Sequence, residues 1–141
     1  MDMGRQRSVR AVLDTNVLIG SARRHLLLLA SLGAYELITS RYILDEAASV
    51  MSRLGWNEAA AAALLQAIRI AAELVDEQTI TGGSYDKWLR DPMDHPIMAT
   101  ALAAKADYLV TQNVKDFPPK LRFAGTTILT AEAFIRLLEH G

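Results

Sequence analysis

Residues 91–117, DPMDHPIMATALAAKADYLVTQNVKDF, constrain the fold more than any other part of the chain. Between Pro96 and Lys105 the side chains are small or apolar, and Asp94 followed by Pro96 is typical of a helix start, so this run predicts a buried helix. The β-prone run 107–111 follows after a short link, as a parallel strand follows its helix in an α/β unit. Because open parallel sheets bind ligands at the carboxyl ends of their strands, we expect functional side chains just after this strand.

Strand-like and helix-like runs alternate along the whole chain. The other predicted strands are 9–13, 35–39, 74–75 and 126–129, and the other predicted helices are 15–30, 41–54, 58–72 and 131–139. Capping side chains stand at the helix starts: Thr15 or Asn16, Ser40, Asn57 and Thr130. This alternation predicts an α/β fold, a three-layer α/β/α sandwich with a mostly parallel central sheet. We expect a single domain over residues 1–141, with residues 1–8 as an N-terminal tail.

The composition excludes several kinds of site. The chain contains no cysteine, which excludes disulfides, thiolate catalysis and cysteine-bound zinc or iron and permits a reducing cytoplasm. Its three histidines, His25, His95 and His140, lack the spacing of metal ligands. No apolar run reaches the roughly 18 to 20 residues of a membrane span, and Asp14 and Asn16 interrupt the segment that a signal peptide would need. We therefore expect a cytoplasmic protein without a membrane segment.

Arginines concentrate near the start of the chain, although the net charge is only −1. Residues 1–24 contain two aspartates and five arginines. The arginines are Arg5, Arg7, Arg10, Arg23 and Arg24. A phosphate-binding rim around an acidic centre has this charge distribution, and so has a solvated terminus. The sequence leaves both interpretations open.

Four acidic residues stand where a parallel sheet brings distant segments together. Asp14 follows the first strand, Glu46 lies on the margin of a helix, Asp94 begins a helix, and Asp116 follows a later strand. Taken alone, each acid also fits an ordinary structural role, such as a turn or cap residue for Asp14 and an ion-pair partner of Arg53 for Glu46. Because parallel strands end on one side of the sheet, we expect the four carboxylates to converge.

The helix that carries Glu46 is predicted to bury a single apolar stripe. At about 100° per residue, this stripe consists of Ile43, Ala47, Val50, Met51 and Leu54. Glu46 lies at its margin, from which a carboxylate can reach a neighbouring cleft.

Converging carboxylates repel one another and need a cation or a proton to offset their charge. Mg²⁺ and Mn²⁺ prefer carboxylate oxygens, retain several waters and require neither cysteine nor histidine. A metal held in this way lowers the pKa of a bound water for attack on a phosphodiester, and a second metal can stabilise the leaving oxygen. The sequence therefore predicts a divalent metal site suited to hydrolysis.

Three segments occur in a fixed order along the chain. They are VLDTN at 12–16, ILDE at 43–46 and DPMD at 91–94, the last followed by a helix and by ADYLVTQNVKDF at 106–117. Together they resemble the PIN-domain family, in particular its toxin-type members from toxin–antitoxin pairs. The resemblance covers nearly the whole chain.

The resemblance implies a Mg²⁺- or Mn²⁺-dependent endoribonuclease that cleaves RNA with an activated water. By position, Asp14, Glu46 and Asp94 are similar to the family's first three acids, and Thr15 and Asn16 to the polar residues that support the first of them. The partners that it implies are an RNA substrate, a small antitoxin that wraps or plugs the cleft, and a second copy of the chain in a homodimer.

One position departs from the family pattern. The fourth acid often stands where this chain has Asn113, so the resemblance implies that Asp116 supplies the charge instead. Asp14, Asp94 and Asp116 are then the implied metal ligands. Asp91 fits either an outer acid of the site or a plain turn.

Two alternative functions remain open. The first is a catalytically weak or inactive PIN-like module that binds RNA or a protein partner, which Asn113 favours. The second is phosphoryl transfer to an aspartate on a similar sheet. A dehalogenase-type phosphatase needs a second aspartate where this chain has Asn16, and a receiver domain needs paired acids where Asp14 stands alone.

Overall fold

The computed structural model of the chain describes residues 8–76, 95–113, 122–123 and 125–140. In chain order its strands are β1 (Arg10–Leu13), β2 (Glu36–Ser40), β3 (Ala72–Val75), β4 (Tyr108–Val110), β5 (Arg122–Phe123) and β6 (Thr126–Leu129). Its helices are α1 (Thr15–Leu18), α2 (Arg23–Ser31), α3 (Arg41–Arg53), α4 (Glu58–Ala71), α5 (His95–Ala103) and α6 (Ala131–His140). The predicted alternation of strands and helices is present.

The described strands form a sheet in the order β3-β2-β1-β4-β6-β5. Neighbouring strands run parallel except for β5 and β6, which are antiparallel. Val12 of the central strand β1 lies opposite Ile38 of β2 on one side and Leu109 of β4 on the other. The prediction of a mostly parallel sheet is confirmed. The sequence did not predict β5, because a strand of 2 residues is too short to show a period.

Helices cover both faces of the sheet, which confirms the three-layer α/β/α architecture. Ala11, Val12 and Leu13 of β1 are each at most 1% exposed, although successive side chains of a strand point to opposite faces. Consecutive buried residues therefore require cover on both sides of the strand. α5 packs on β1, β2 and β4, and α2 contacts α6 through a hydrogen bond between His25 Nε2 and Glu139 Oε2 at 3.1 Å.

Phe134 anchors the last helix to the sheet. Its side chain is fully buried, and its ring centroid lies 5.0 Å from that of Tyr35 and 5.7 Å from that of Tyr108. The Tyr35 hydroxyl donates a hydrogen bond to the carbonyl oxygen of Leu26 in α2, at 2.9 Å. α2, α6 and the sheet therefore share one apolar cluster with a satisfied polar group at its edge.

The chain between β1 and β2 forms two helices, so the prediction of one helix over 15–30 was wrong. Gly20 lies in the turn between α1 and α2, where a Cβ atom would be 2.5 Å from the carbonyl oxygen of Asn16. The cap of α1 also differs from the prediction, because Asp14 accepts the hydrogen bond from the first helical N–H, that of Thr15. Apolar residues continue on both sides of the single glycine, so the hydrophobic pattern did not reveal the break.

Other helix starts follow the prediction. Ser40, Asn57 and Thr130 each accept a hydrogen bond from a backbone N–H of the helix that follows. Their oxygens satisfy donors that the first helical turn cannot pair internally. The sequence thus located the starts of α3, α4 and α6.

α3 buries a slightly different stripe from the predicted one. Three of the predicted residues are buried, Ile43, Ala47 and Met51, and Leu44 joins them. Leu54 is 66% exposed and Val50 is half-buried, because this flank of α3 faces an open pocket instead of a packed helix. None of the helices in the described segments is long and apolar enough to cross a bilayer.

The Phe134 contacts predict a large loss of stability when the ring is removed. We expect Phe134→Ala to lower the free energy of unfolding by about 3 to 5 kcal/mol, because it leaves a cavity between Tyr35 and Tyr108. Urea denaturation followed by circular dichroism measures this loss. The control is Leu32→Ala, since Leu32 is 72% exposed and its removal should cost under about 0.5 kcal/mol. Equal effects of the two substitutions would contradict the assignment of Phe134 to the core.

Candidate active site

An open pocket lies beside the carboxyl ends of β1 and β4. The chain leaves β1 toward β2 and β3 on one side and later returns to β4 on the other side, so β1 and β4 flank the topological switch point of the sheet. Ligand sites of parallel α/β sheets form at such points. The pocket has a volume of about 410 Å³. Its lining consists of Asp14, Thr15, Asn16, Ile19, Glu46, Val50, Leu54, Ile97 and Asn113.

Asp14 is the most buried acidic side chain in the pocket. It follows the last residue of β1 directly and is 4% exposed. Its Oδ1 accepts a hydrogen bond from the backbone N–H of Thr15 at 2.7 Å, and its Oδ2 accepts one from the Thr111 hydroxyl at 2.7 Å and one from the Asn16 amide at 3.3 Å. These three donors fix the carboxylate and offset part of its lost hydration.

Despite these donors, ionisation of the Asp14 carboxyl group still costs free energy in the folded protein. Burial raises the pKa of Asp14 from an ordinary value of 3.8 to about 6, against the lowering effect of the hydrogen bonds from Thr111 and Thr15. The negative charge of Glu46 raises the pKa of Asp14 further. A carboxylate in this environment gains stability from a nearby cation.

Glu46 reaches the same pocket from α3. The Thr15 hydroxyl donates a hydrogen bond to Glu46 Oε1, and the Tyr42 hydroxyl lies 3.5 Å from Glu46 Oε2. Thr15 therefore contacts both acids, Asp14 through its backbone N–H and Glu46 through its side chain. In the described part of the structure Glu46 forms no ion pair with Arg53, so the ordinary alternative for this residue was wrong.

Asn16 is oriented by the end of β4. Its Oδ1 accepts a hydrogen bond from the backbone N–H of Gln112 at 3.1 Å, so its NH₂ group faces Asp14. The Thr111 hydroxyl, which donates to Asp14, in turn accepts a hydrogen bond from the backbone N–H of Asn113 at 2.9 Å. The segment after β4 thus positions two of the three donors to Asp14.

The Gln112 side chain connects this segment to α6. Its Oε1 accepts a hydrogen bond from the backbone N–H of Ala131, the first residue of α6, at 3.0 Å. Its Nε2 donates to both carboxylate oxygens of Glu132, at 3.2 and 3.0 Å. α6 therefore holds the carboxyl end of β4 in place. Sequence analysis gave no role to Gln112, because its partners are 19 and 20 residues away.

The structure brings together five of the eight candidate site residues. Asp14, Thr15, Asn16, Glu46 and Asn113 line one pocket, as the convergence of strand ends predicted. The other three candidates, Asp91, Asp94 and Asp116, lie outside the described residues. Their place in the site remains a prediction.

Sequence analysis missed two hydroxyl groups of the site. Thr111 and Tyr42 donate to the two acids, although neither was predicted to do so. A signal for Thr111 was present, since it ends the strand that flanks the switch point, next to Asp14. Tyr42 stands four residues before Glu46 on α3, a spacing that places both on one helix face.

The oxygen donors in the pocket suit a hard cation. Two carboxylates and the side chain of Asn113 line it, and these are ligand types that Mg²⁺ and Mn²⁺ accept. Within the described residues, no group of three or more acidic or histidine side chains is close enough to hold a metal. The predicted third and fourth ligands, Asp94 and Asp116, are outside this part of the chain.

Of the five arginines near the start of the chain, Arg5 and Arg7 lie outside the described residues, and Arg10 does not belong to a rim around the pocket. Arg10 lies at the start of β1, opposite the pocket, and its guanidinium contacts Glu36 at 2.9 Å and Glu73 at 3.2 Å. These contacts tie β1 to β2 and β3, so Arg10 is structural and the rim interpretation was wrong for it. Arg23 differs, because its guanidinium lies 5.0 Å from the centroid of the Trp56 ring.

Comparison with known proteins agrees with this architecture. A model described as the PIN domain matches residues 10–115, so the chain belongs to the PIN domain family. Members of this family are nucleases. No protein with a curated description matches the sequence.

Two solved structures have a similar fold. VapBC2 from Rickettsia felis, bound to a DNA fragment from their promoter, has 20% sequence identity and a TM-score of 0.60, over 86% of this chain and 98% of the other. PAE2754 from Pyrobaculum aerophilum has 19% identity and a TM-score of 0.59, over 94% of this chain and 91% of the other. At these identities the two structures support the fold.

The raised pKa of Asp14 predicts a pH-dependent difference between the wild type and Asp14→Asn. Between pH 3.8 and about 6 the folded protein retains a proton on Asp14 that the unfolded chain has lost. This proton stabilises the fold at low pH, and the stabilisation is lost as the pH rises through 6. Without divalent metal, the free energy of unfolding of the variant should therefore rise by about 2 kcal/mol relative to that of the wild type between pH 4 and 7.

Urea denaturation of both proteins across this pH range measures the difference. The control is Asp45→Asn, because Asp45 is exposed on the same helix as Glu46. Its stability relative to the wild type should change little with pH. If the free energies of unfolding of the wild type and Asp14→Asn differed by the same amount from pH 4 to 7, the charged form of Asp14 would not destabilise the fold.

Proposed function

We propose that the protein is a Mg²⁺- or Mn²⁺-dependent endoribonuclease and the toxin of a toxin–antitoxin pair in the cytoplasm. One observation carries the proposal: the buried carboxylate of Asp14 and the carboxylate of Glu46 open onto one pocket at the switch point of a PIN-domain sheet. Two acids on separate elements, linked by Thr15, resemble a site built to share a cation.

The metal would be held by Asp14 together with Asp94 and Asp116. When bound, a divalent cation supplies positive charge that stabilises the phosphate and acidifies a water for attack on the phosphodiester. The raised pKa of Asp14 supports this assignment, because a buried carboxylate that resists ionisation gains most from a cation. Asn113 also lines the pocket, and its amide would offer a neutral oxygen there.

The chain's own residues have the following proposed roles. Thr111, the backbone N–H of Thr15 and the Asn16 amide hold the Asp14 carboxylate in one orientation. Thr15 and Tyr42 hold Glu46 at the pocket wall, where it can accept a proton from the attacking water. Because these donors are fixed before substrate binds, little reorganisation is needed during reaction.

An antitoxin and a second copy of the chain are the proposed protein partners. The motifs resemble toxin-type family members, and VapBC2 from Rickettsia felis has a similar fold. Apolar side chains on α2 and α4 also remain uncovered, with Leu28 55% exposed and Ile70 76% exposed. They border a groove of about 640 Å³, and surfaces of this kind commonly bind another protein.

A catalytically weak RNA-binding module is the second candidate function. Asn113 supports it, because an amide lines the pocket where the family often has an acid. Such a protein would bind RNA at the same place and cleave it slowly or not at all. The two candidates share the site and differ in turnover.

The proposal predicts loss of RNA cleavage in Asp14→Asn and Glu46→Gln. We expect kcat/KM to fall at least about 100-fold in each variant, because each loses a charged oxygen at the reacting centre. Labelled RNA is incubated with Mg²⁺ or Mn²⁺ and the products are separated on a gel. EDTA should abolish cleavage by the wild type.

The matched control is Asp45→Asn, which removes a carboxylate beside Glu46 that faces solvent. It should retain cleavage within about 2-fold, as expected for an exposed residue with no part in the site. Cleavage that continues unchanged in Asp14→Asn, or in the presence of EDTA, would exclude this site and this chemistry. Metal-dependent RNA binding without cleavage would favour the second candidate function.

A further inference from the structure

Arg23 and Trp56 form a pair just beyond two segments that line the pocket. The guanidinium carbon of Arg23 lies 5.0 Å from the centroid of the Trp56 ring, within range of a cation–π contact. Both side chains are half-buried. Arg23 Nη1 also donates a hydrogen bond to the carbonyl oxygen of Gly20 at 3.1 Å, which fixes the guanidinium.

The two elements that line the pocket lead directly to this pair. Ile19 lines the pocket at the end of α1, and Gly20 and Arg23 follow it. Leu54 lines the pocket at the end of α3, and Trp56 follows it after a glycine with a φ of 81°. The backbone N–H of Trp56 donates to the Met51 carbonyl oxygen at 3.0 Å, so the turn that carries the ring is fixed to α3.

The guanidinium groups of Arg23 and Arg10 have different surroundings. Arg10 contacts two glutamates, Glu36 and Glu73. In the described part of the chain, no carboxylate lies within ion-pair distance of Arg23, whose polar contact is a carbonyl oxygen. Arg23 therefore retains a positive charge for an anion near a pocket whose two charged lining residues, Asp14 and Glu46, are acidic.

We propose that the Arg23–Trp56 pair binds single-stranded RNA beside the cleavage site, with a base stacked on the pair and a phosphate on the guanidinium. The inference rests on the proposed function, since it assigns the pair to the RNA of the same pocket. Aromatic rings and arginine planes are the surfaces on which unpaired bases stack. Recognition through stacking tolerates every base, so the pair places the strand without selecting its sequence.

The distance along α3 fits a bound strand. Leu54 lies eight residues beyond Glu46, or about 12 Å at a rise of about 1.5 Å per residue. A few nucleotides of single strand cover this length, given about 3.4 Å per stacked nucleotide. A base on Trp56 would thus lie several nucleotides from the bond that is cut.

The direct test measures binding of a fluorescein-labelled single-stranded RNA of about 12 nucleotides, with Ca²⁺ in place of Mg²⁺ to keep it uncleaved. We expect Trp56→Ala to raise the Kd about 5- to 150-fold, the range found for the loss of one stacked base. Trp56→Phe preserves an aromatic face and should stay within about 3-fold of the wild type. Thermal unfolding of each variant confirms that it is folded.

Arg23→Gln tests the phosphate contact separately. The slope of log Kd against log salt should decrease by about 0.7, the value for one phosphate of a single strand. Arg69→Gln is the matched control, because Arg69 is exposed on α4, which does not line the pocket. It removes the same charge and should leave the slope unchanged.

Tryptophan fluorescence reports stacking directly. The chain has 2 tryptophans, so Trp88→Phe leaves Trp56 as the source of all tryptophan emission. Addition of the same RNA should quench its emission, and Arg69→Gln in this background should not alter the quenching. If the pair only held α2 against the end of α3, addition of RNA would leave the Trp56 emission unchanged.

The outcomes separate this inference from the proposed function. An unchanged Kd in Trp56→Ala, with no quenching in Trp88→Phe, overturns the inference even when the wild type cleaves RNA. RNA binding that depends on Trp56 without any cleavage supports the inference and counts against the nuclease. A wild type that neither binds nor cleaves RNA overturns both.

Discussion

The burial of the Asp14 carboxylate is the constraint on which the site depends. A charge at the end of the central strand loses most of its hydration, and burial is the largest of the effects that raise its pKa. Three donors compensate in part, one from the backbone of α1 and two from the side chains of Thr111 and Asn16. An isolated fold would be more stable with a neutral residue at this position. The divalent cation that we propose would offset this charge.

The rest of the structure serves to hold this charge in place. The parallel sheet sets the end of β4 next to the end of β1, which brings Thr111 within 2.7 Å of Asp14. Gln112 links the same segment to the start of α6, and Phe134 fixes α6 in the core. From the other side, α3 presents Glu46 to the Thr15 hydroxyl. Contacts far from the pocket thus determine the geometry of the acids.

Much of this arrangement could be predicted from the sequence, because it follows from short patterns. Strand runs, caps such as Ser40 and Asn57, and acids placed after strands were enough to predict a parallel sheet with Asp14 and Glu46 at one pocket. The PIN domain resemblance was confirmed by a match over residues 10–115. These features depend on local order and on the rule that parallel strands end on the same side.

The remaining features depend on relations that a single sequence does not display. The partnership of Thr111 with Asp14 joins residues 97 positions apart and follows from the register of two strands. The break at Gly20 and the exposure of Leu54 depend on how α1 and α3 pack around an open pocket. Arg10, which the sequence grouped with the other arginines, begins the central strand β1 and so lies at the opposite end of that strand from the pocket. The roles of Asp91, Asp94 and Asp116 remain predictions.

The central claim is that the buried charge of Asp14 exists to hold a divalent cation. A crystal of the protein soaked in Mn²⁺, with diffraction recorded at the manganese absorption edge, tests it most directly. We expect an anomalous peak in the pocket, in direct contact with an Asp14 carboxylate oxygen and absent from crystals of Asp14→Asn. A fully soaked crystal with no peak at Asp14, or a peak that persists in Asp14→Asn, would contradict the account.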